Sequence, residues 1–387
     1  MKFGYFSHVW GRPGATPAQR YEELWREIEL ADEVGFDYAF SVEHHFSPSE
    51  SWMSSPAMFC TGAAARTDRI RVGPMGYVPA LHNPIAIVEE IAALDQVLNG
   101  RLEVGIASGV APTYFGPFGA KFEERKERAK ECVDLLRAAY GTDDDSFGFT
   151  GPFHEYSDVS MSFAPVQRPH PPLWIPTRDR RTLRWLAEIG AHTSSTMIVP
   201  RKALEVVYRH YVDWWKAAGH PGVPNIGYWT LVHVGESDEE AISRAAPHLI
   251  HTLTKTLLYG KGTPAPETGN GELSTADILA NAGDINFLLD NNLIFVGSPE
   301  TVADRIRAAA DEGVFNTLLG EFTFGMMSEA EVEASTRLFA TEVMPALADH
   351  EPYGDKKAEQ NARKGTVYDE SEERLVSERL QALGYIE

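Results

Sequence analysis

The feature that most constrains this chain is the regular alternation of short apolar segments with long amphipathic ones. The apolar segments predict eight strands, at residues 2–6, 37–41, 70–77, 102–107, 173–175, 192–196, 226–234 and 317–320. Amphipathic helices are predicted at residues 17–34, 56–67, 84–98, 121–140, 180–189, 201–218, 238–259, 299–312 and 329–347. Strands that alternate with helices pair in parallel. Eight such units predict a (β/α)8 TIM barrel with insertions in the loops at the strand ends.

Three segments interrupt this alternation. Residues 141–172 are rich in Gly, Pro, Phe and Tyr and predict an excursion with a short hairpin. Residues 260–283 are rich in Gly, Pro and Thr, which predicts a mobile, non-helical loop that acts as a lid. Residues 1–349 form the predicted barrel domain. The charged tail at 350–387 follows it, and we expect this tail to hold a short helix at 370–383 and to contribute to contacts in a homo-oligomer.

The composition excludes several kinds of partner. The chain has 35 Lys and Arg against 56 Asp and Glu, a net charge of -21, which repels nucleic acid backbones and anionic membranes. Its two cysteines, Cys60 and Cys132, have no metal or redox spacing. The start has no apolar signal region, and no segment approaches the roughly 20 apolar residues of a membrane span. We therefore expect a cytoplasmic protein with a small-molecule substrate.

Histidines end the second predicted strand, and the chemistry of a barrel lies at the C-terminal ends of its strands. Glu43-His44-His45 stands there, and histidine can act as acid, base or hydrogen-bond donor near neutral pH. We expect His44 and His45 to be catalytic. The alternative is that one of the two is buried and pairs with Glu43. A zinc site needs three or more ligands and no H-x-H pattern ends the first strand, so no metal is expected.

The start of the helix after the fifth strand could bind a phosphate group. The free amides of a helix N-terminus, with Thr and Arg side chains added, suit an anion, and residues 177–182 read Thr-Arg-Asp-Arg-Arg-Thr. The alternative is an ordinary capped helix with solvated arginines. On the apolar helix at 84–98, Asp95 is predicted to pair with Arg101. Aromatic residues at loop positions could line an apolar substrate pocket, namely Phe6, Trp10, Trp52, Tyr77, Tyr114, Phe115 and Trp229.

Several of these segments together resemble the bacterial luciferase-like monooxygenase family. They are KFGYF at 2–6, EHHF at 43–46, HNPIAIVEEIAALDQVLNGRLEVGIASG at 82–109, PPLWIPTRDRRTLRWLAEIGA at 171–191 and GSPETVADRIRAAADEGV at 297–314. The resemblance spans about residues 1–347. Each motif alone is moderately specific, and their combination is specific.

The resemblance implies a barrel that binds reduced FMN, supplied by a separate flavin reductase, and adds O2 to form a flavin peroxide. The catalytic histidine of luciferases falls on His44, and an unusual cis peptide under the flavin ring falls near Met75-Gly76. The flavin-binding segment after the fourth strand falls on Ser108, Gly109 and Val110. The phosphate-binding residues fall on Arg178, Asp179 and Thr182.

One departure from the family pattern bears on function. Luciferases carry Cys-Arg-Gly after the fourth strand, whereas this chain has Ala107-Ser108-Gly109, so light emission is not expected. The lost positive charge could come from Arg178 or Arg181. The sequence predicts a two-component FMN-dependent monooxygenase that oxygenates a small apolar carbonyl or aromatic compound. The alternatives are a deazaflavin-dependent oxidoreductase of the same fold, a metal-dependent barrel hydrolase that uses His44 and His45, and a flavin-binding protein without activity.

Overall fold

A computed structural model describes residues 1–11, 14–142, 144–256 and 273–353. The chain divides into two compact units, one of Gly4–Pro176 and one of Met1–Phe3 with Thr177–Glu387. Each unit combines parallel strands with helices, so the predicted α/β architecture is confirmed. That eight strands close into one barrel stays a prediction. That residues 1–349 form a single domain also stays a prediction.

The unit Gly4–Pro176 follows the predicted alternation of strands and helices. Its helices are α1 (Pro17–Val34), α2 (Pro56–Ala64), α3 (Pro84–Val97) and α4 (Arg125–Tyr140). Its strands are β1 (Lys2–Ser7, from Gly4 onward in this unit), β2 (Tyr38–Ser41), β3 (Arg71–Pro74), β4 (Val104–Gly105), β5 (Phe147–Thr150), β6 (Glu155–Val159) and β7 (Leu173–Trp174). β5 and β6 form the predicted antiparallel hairpin.

Pairing in this unit brings the ends of the first three strands to one edge. β2 pairs in parallel with β1 and β3, and Ser41 stands opposite both Ser7 and Pro74, the last residues of those strands. The segments that follow, beginning at His8, Val42 and Met75, therefore start side by side. β4 and β7 also pair in parallel.

Glycines let the backbone of β3 and the segment after it approach β4 closely. A Cβ added at Gly73 would lie 2.0 Å from the carbonyl oxygen of Glu103, and one at Gly105 would lie 2.1 Å from that of Pro74. A Cβ at Gly76 would lie 2.2 Å from the carbonyl carbon of Gly105. No side chain fits between backbones at such distances, so these three positions require glycine.

The second unit is described from Thr177 to Thr256 and from residue 273 to Tyr353, together with Met1–Phe3. Its strands are β8 (Thr193–Thr196), β9 (Ile226–Val234), β10 (Phe295–Gly297) and β11 (Thr317–Glu321). Its helices are α5 (Arg180–Ile189), α6 (Arg201–Ala217), α7 (Asp238–His251), α8 (Thr275–Ala280), α9 (Ile285–Asp290), α10 (Pro299–Gly313), α11 (Glu329–Leu338) and α12 (Met344–Leu347). β8, β10 and β11 all pair in parallel with β9. β10 was not predicted, because a strand of three residues directly before a helix cap is too short to show a hydrophobic periodicity.

Helix caps explain several boundaries and two corrections. Ser298 caps α10 by accepting from the backbone N–H of Thr301, as predicted, but Val314 rather than Gly313 adopts the left-handed conformation that ends the helix. The expectation of a non-helical segment at 260–283 is wrong for α8, because Ser274 and Asp277 form a capping box that starts a helix there. Residues 260–272 lie outside the described residues, as does the tail beyond Tyr353 with its predicted helix.

The predicted pair of Asp95 and Arg101 is also wrong. The carboxylate of Asp95 accepts hydrogen bonds of 2.8 Å from the backbone N–H and the side-chain amide of Gln167. Arg101 donates instead to Thr67 and to the carbonyl oxygen of Ile70. Periodicity placed Asp95 on a buried helix face but carried no information about a partner 72 residues away. In the described ranges, no helix is both long and apolar enough to cross a membrane.

The close approach at Gly73 gives a test of the fold. Gly73→Ala forces the backbones of β3 and residue 103 apart, and we expect it to lower the free energy of unfolding by about 1–3 kcal/mol, measured by urea denaturation. Gly116→Ala is the matched control, because a Cβ there meets nothing within 4 Å. Equal stability of the two variants would contradict the close approach.

Candidate active site

The loop between β2 and α2 folds back over the segment that follows β1. The backbone N–H of Trp52 donates to the carbonyl oxygen of Val9 at 3.0 Å. Ser51 Oγ donates to the carbonyl oxygen of His8 at 2.5 Å. Val9 and Phe46, each directly after a histidine, have φ of 54°, a conformation that is strained for a β-branched or aromatic residue. Such strain is typical of functional sites, where the surrounding structure enforces it.

The buried carboxylate of Glu43 joins this loop to the segment after β3. Its Oε1 lies 2.9 Å from Nε2 of His45 and 2.6 Å from Nε2 of His82, and its Oε2 accepts from the backbone N–H of Val78 at 2.8 Å. Burial alone would raise the pKa of Glu43, but these hydrogen bonds hold it below its ordinary value. The ionised carboxylate therefore fixes His45, and the predicted alternative of one histidine paired with Glu43 describes His45.

His44 has a different environment from its neighbour. Its side chain is buried, and its Nδ1 lies 3.5 Å from Oε1 of Glu50, longer than a hydrogen bond. Glu50 is buried as well, and Tyr114 donates its hydroxyl to Oε2 of Glu50 at 3.3 Å. Nδ1 of His44 has no hydrogen-bond partner in the part of the chain that the structure describes. His44 is therefore a candidate to bind a ligand.

Burial and neighbouring histidines set the charge of His44. Loss of solvent lowers its pKa well below the ordinary 6.5, and the positive charges that His8 and His45 can carry lower it further. Burial has the opposite effect on an acid, and it raises the pKa of Glu50. At neutral pH His44 is therefore an uncharged imidazole, with one N–H group and one nitrogen lone pair that can accept a proton.

Aromatic rings surround His44 on one side. The ring of His8 lies 5.5 Å from His44 and stacks on Trp10 with centroids 4.4 Å apart, and the ring of Phe6 lies 5.2 Å from His8. Tyr114 lies 5.8 Å from His44. Trp10 is buried, and its Nε1 has no hydrogen-bond partner among the described residues. The structure therefore brings together Phe6, Trp10, His44, His45 and Tyr114 of the predicted site.

Other predicted substrate residues have partners of their own. The hydroxyl of Tyr77 donates to Glu90 of α3 at 2.6 Å, and Nε1 of Trp52 donates to the carbonyl oxygen of Pro48 at 2.7 Å. Phe115 packs in a cluster with Val78, Leu81 and Tyr114. Trp229 belongs to the second unit, where its Nε1 donates to Glu321 at 3.0 Å.

The predicted flavin-binding residues of the first unit follow β3 and β4. The peptide bond between Met75 and Gly76 is cis, as the resemblance implied. Ser108 and Gly109 are half-buried and Val110 is exposed. Gly109 has φ of 88°, which suits glycine and brings its backbone against Phe115 and Val78.

The predicted phosphate-binding residues lie at the start of α5, in the second unit. Asp179 caps the helix, and its carboxylate accepts from both the backbone N–H and the hydroxyl of Thr182 at 2.7 Å. Arg178 is exposed. The capping carboxylate of Asp179 thus occupies groups of Thr182 that the sequence assigned to a phosphate.

Sequence reasoning missed Glu50 and His82 as parts of this site. Each lies in a loop with no periodicity, and only the folded contacts with His44 and Glu43 reveal a role. His8 was visible as the residue after the first strand but was assigned no role. In the described ranges, no group of three or more His, Cys, Asp or Glu side chains is arranged to hold a metal ion.

The luciferase-like monooxygenase family model matches residues 1–316. The chain belongs to this family. It is 26% identical over 334 residues to an FMNH2-dependent dimethylsulfone monooxygenase of Pseudomonas putida, covering 84% of this chain and 87% of the relative. It is 23% identical over 362 residues to the oxygenase component of a flavin-dependent trigonelline monooxygenase of Acinetobacter baylyi, covering 90% and 96%. A crystal structure of a monooxygenase from Streptomyces bottropensis is similar with a TM-score of 0.76 and 26% identity, covering 89% and 99%.

The pKa of His44 can be measured directly. We expect its imidazole to stay neutral as the pH falls through 6.5 and to titrate well below that value. The measurement is an NMR titration of the ring Cε1–H signals between pH 4 and 8, with His44→Gln identifying the signal. In that range below 6.5 the unfolded chain binds a proton that the folded chain does not, so His44 also lowers stability as the pH falls. Titration at or above 6.5 would contradict the buried, neutral state.

Proposed function

We propose that this protein is the oxygenase of a two-component FMN-dependent monooxygenase. It receives reduced FMN from a separate flavin reductase and uses O2 to oxygenate a small apolar carbonyl or aromatic compound. The observation that carries the proposal is a buried, neutral His44 among aromatic rings, in a chain of the luciferase-like monooxygenase family. Its Nδ1 has no hydrogen-bond partner among the described residues. The names of the two relatives, one FMNH2-dependent and one an oxygenase component, support the proposed cofactor and the proposed flavin reductase.

The residues of the first unit fit a polar-edged aromatic ligand. Buried N–H groups almost always have an acceptor, and an indole N–H can only donate. Nε1 of Trp10 is buried without a partner among the described residues. A carbonyl or ring nitrogen of a bound molecule would satisfy it, and both a flavin ring and a carbonyl substrate carry such atoms. We propose that the cis Met75-Gly76 segment, Ser108, Gly109 and Val110 hold the flavin.

Reduced FMN, when bound, supplies the electrons that activate O2. The protein's own contribution is to bind, to keep water away and to move a proton. Neutral His44 accepts a proton from the reacting group and returns it, while His45 is held by Glu43 and positions the loop. The rings of Phe6, Trp10 and Tyr114 provide apolar surface for the substrate. An apolar wall around a reacting group also excludes water.

The decisive experiment follows the oxygen atom. The protein, a flavin reductase, NADH and FMN are incubated under 18O2 with a panel of small ketones, aldehydes and aromatic compounds, and products are analysed by mass spectrometry. We expect a product with one 18O atom. A product formed only with a deazaflavin coenzyme and without 18O would support the alternative of hydride transfer, and no turnover of any panel compound would contradict the proposed substrate class.

The role of His44 is tested with a substrate from that panel. His44→Ala should bind FMN as the wild type does but lose about 10²–10⁴-fold in product formation, the usual effect of removing an acid–base group. His154→Ala is the matched control, because His154 pairs with Glu131 beside the β5–β6 hairpin and not with His44. Unchanged product formation in His44→Ala would show that His44 is not the residue that transfers the proton.

The phosphate group is tested by comparing FMN with riboflavin. Arg178→Ala should weaken binding of FMN about tenfold or more and leave riboflavin binding unchanged, since a hydrogen bond to a charged group contributes about 1.5–3 kcal/mol. Fluorescence quenching gives both dissociation constants. Arg184→Ala, an exposed arginine of the same helix that pairs with Glu188, is the control. Equal affinity of the wild type for FMN and riboflavin would remove the phosphate site from the proposal.

A further inference from the structure

We propose that Glu50 is a positioning residue for His44. It accepts a hydrogen bond from Nδ1–H of His44 and thereby keeps the lone pair of Nε2 available to the reacting group. The inference rests on the proposed function, because it assigns a partner to the proposed catalytic imidazole. It goes beyond that function because it fixes which nitrogen of His44 reacts.

Nδ1 of His44 lies close to Oε1 of Glu50. The two atoms lie 3.5 Å apart, and Nδ1 has no other hydrogen-bond partner among the described residues. The other carboxylate oxygen, Oε2, accepts from the hydroxyl of Tyr114 at 3.3 Å. Both side chains are buried, Glu50 with 1% of its surface exposed and His44 with 6%, so water cannot easily take the place of either partner.

A turn of the backbone holds Glu50 in this position. The backbone N–H groups of Glu50 and Ser51 both donate to the carbonyl oxygen of Ser47 at 3.0 Å. Ser51 Oγ donates to His8 and accepts from the backbone N–H of Met53, whose carbonyl oxygen accepts from the N–H of His44. His44 and Glu50 therefore belong to one hydrogen-bonded loop. Hydrogen bonds within catalytic sites are often long before ligand binds, and a small movement of either ring or carboxylate closes this one.

The charges around His44 indicate what the carboxylate of Glu50 contributes to the site. The groups that face the imidazole are His8, His45, Tyr114 and Glu50. The two histidines disfavour a positive charge on His44, and Tyr114 carries none. When Nε2 accepts a proton, the imidazolium that forms keeps its Nδ1–H toward Glu50, and a hydrogen bond between charged groups is stronger than a neutral one. Glu50 thus stabilises the protonated state that catalysis needs for a moment.

The tautomer of His44 can be measured in the protein without any ligand. Nitrogen-15 NMR of histidine-labelled protein at pH 7 separates a ring nitrogen that carries a proton from one that carries a lone pair, and His44→Gln identifies the signals. We expect the wild type to show Nδ1–H and an unprotonated Nε2. Glu50→Ala should shift the population toward Nε2–H. Glu50→Gln should restore Nδ1–H, because the amide oxygen still accepts a hydrogen bond.

The control is another histidine–glutamate pair of the same unit, His154 and Glu131. Glu131→Ala removes the carboxylate that lies 2.9 Å from Nδ1 of His154, and it should leave the His44 signals unchanged. A wild-type spectrum with Nε2–H at His44, or an unchanged tautomer in folded Glu50→Ala, would overturn the proposal. If Glu50→Ala does not fold, the wild-type spectrum and the spectrum of Tyr114→Phe decide between the two outcomes. Tyr114→Phe should shift the tautomer of His44 toward Nε2–H, as Glu50→Ala does, but to a smaller extent. Because no flavin is present, failure of 18O incorporation would leave this result intact.

Discussion

The constraint on which the site depends is the burial of an ionised carboxylate at the end of β2. An unpaired charge in a protein interior costs several kcal/mol, so the carboxylate oxygens of Glu43 need hydrogen-bond partners in the folded state. His45, His82 and the backbone of Val78 supply those bonds. These bonds join the loop after β2 to the segment after β3. This attachment fixes the place of His44.

The same contacts give the adjacent residues His44 and His45 different environments. His45 is bound to a carboxylate and supports the loop, whereas His44 is kept neutral by burial and by its histidine neighbours. Val9 and Phe46 have strained backbone conformations with positive φ, in the segments that carry these side chains. The site thus combines a rigid, charged support with an uncharged imidazole among aromatic rings. That combination is chemically suited to proton transfer in an apolar environment.

Periodicity and capping predicted most of the fold, because these signals are local. α1 and α5 have the predicted bounds, and every predicted strand overlaps an observed one. The predicted pair that failed depends on a contact between distant residues, because Asp95 binds Gln167 instead of Arg101. At the site, the histidines were visible at strand ends, but Glu50 had no local signal. The cis peptide at Met75-Gly76 came from the family resemblance, since no spacing of residue types implies it.

The most direct test of the central claim is the reaction of the flavin-loaded protein with O2. Protein and reduced FMN are mixed without oxygen, O2 is added in a stopped-flow instrument, and absorbance at 450 nm reports oxidised flavin. If His44 lies beside the bound flavin and transfers protons there, the wild type will give a time course different from that of free reduced FMN, and His44→Ala will change it again. Three superimposable time courses would contradict the account.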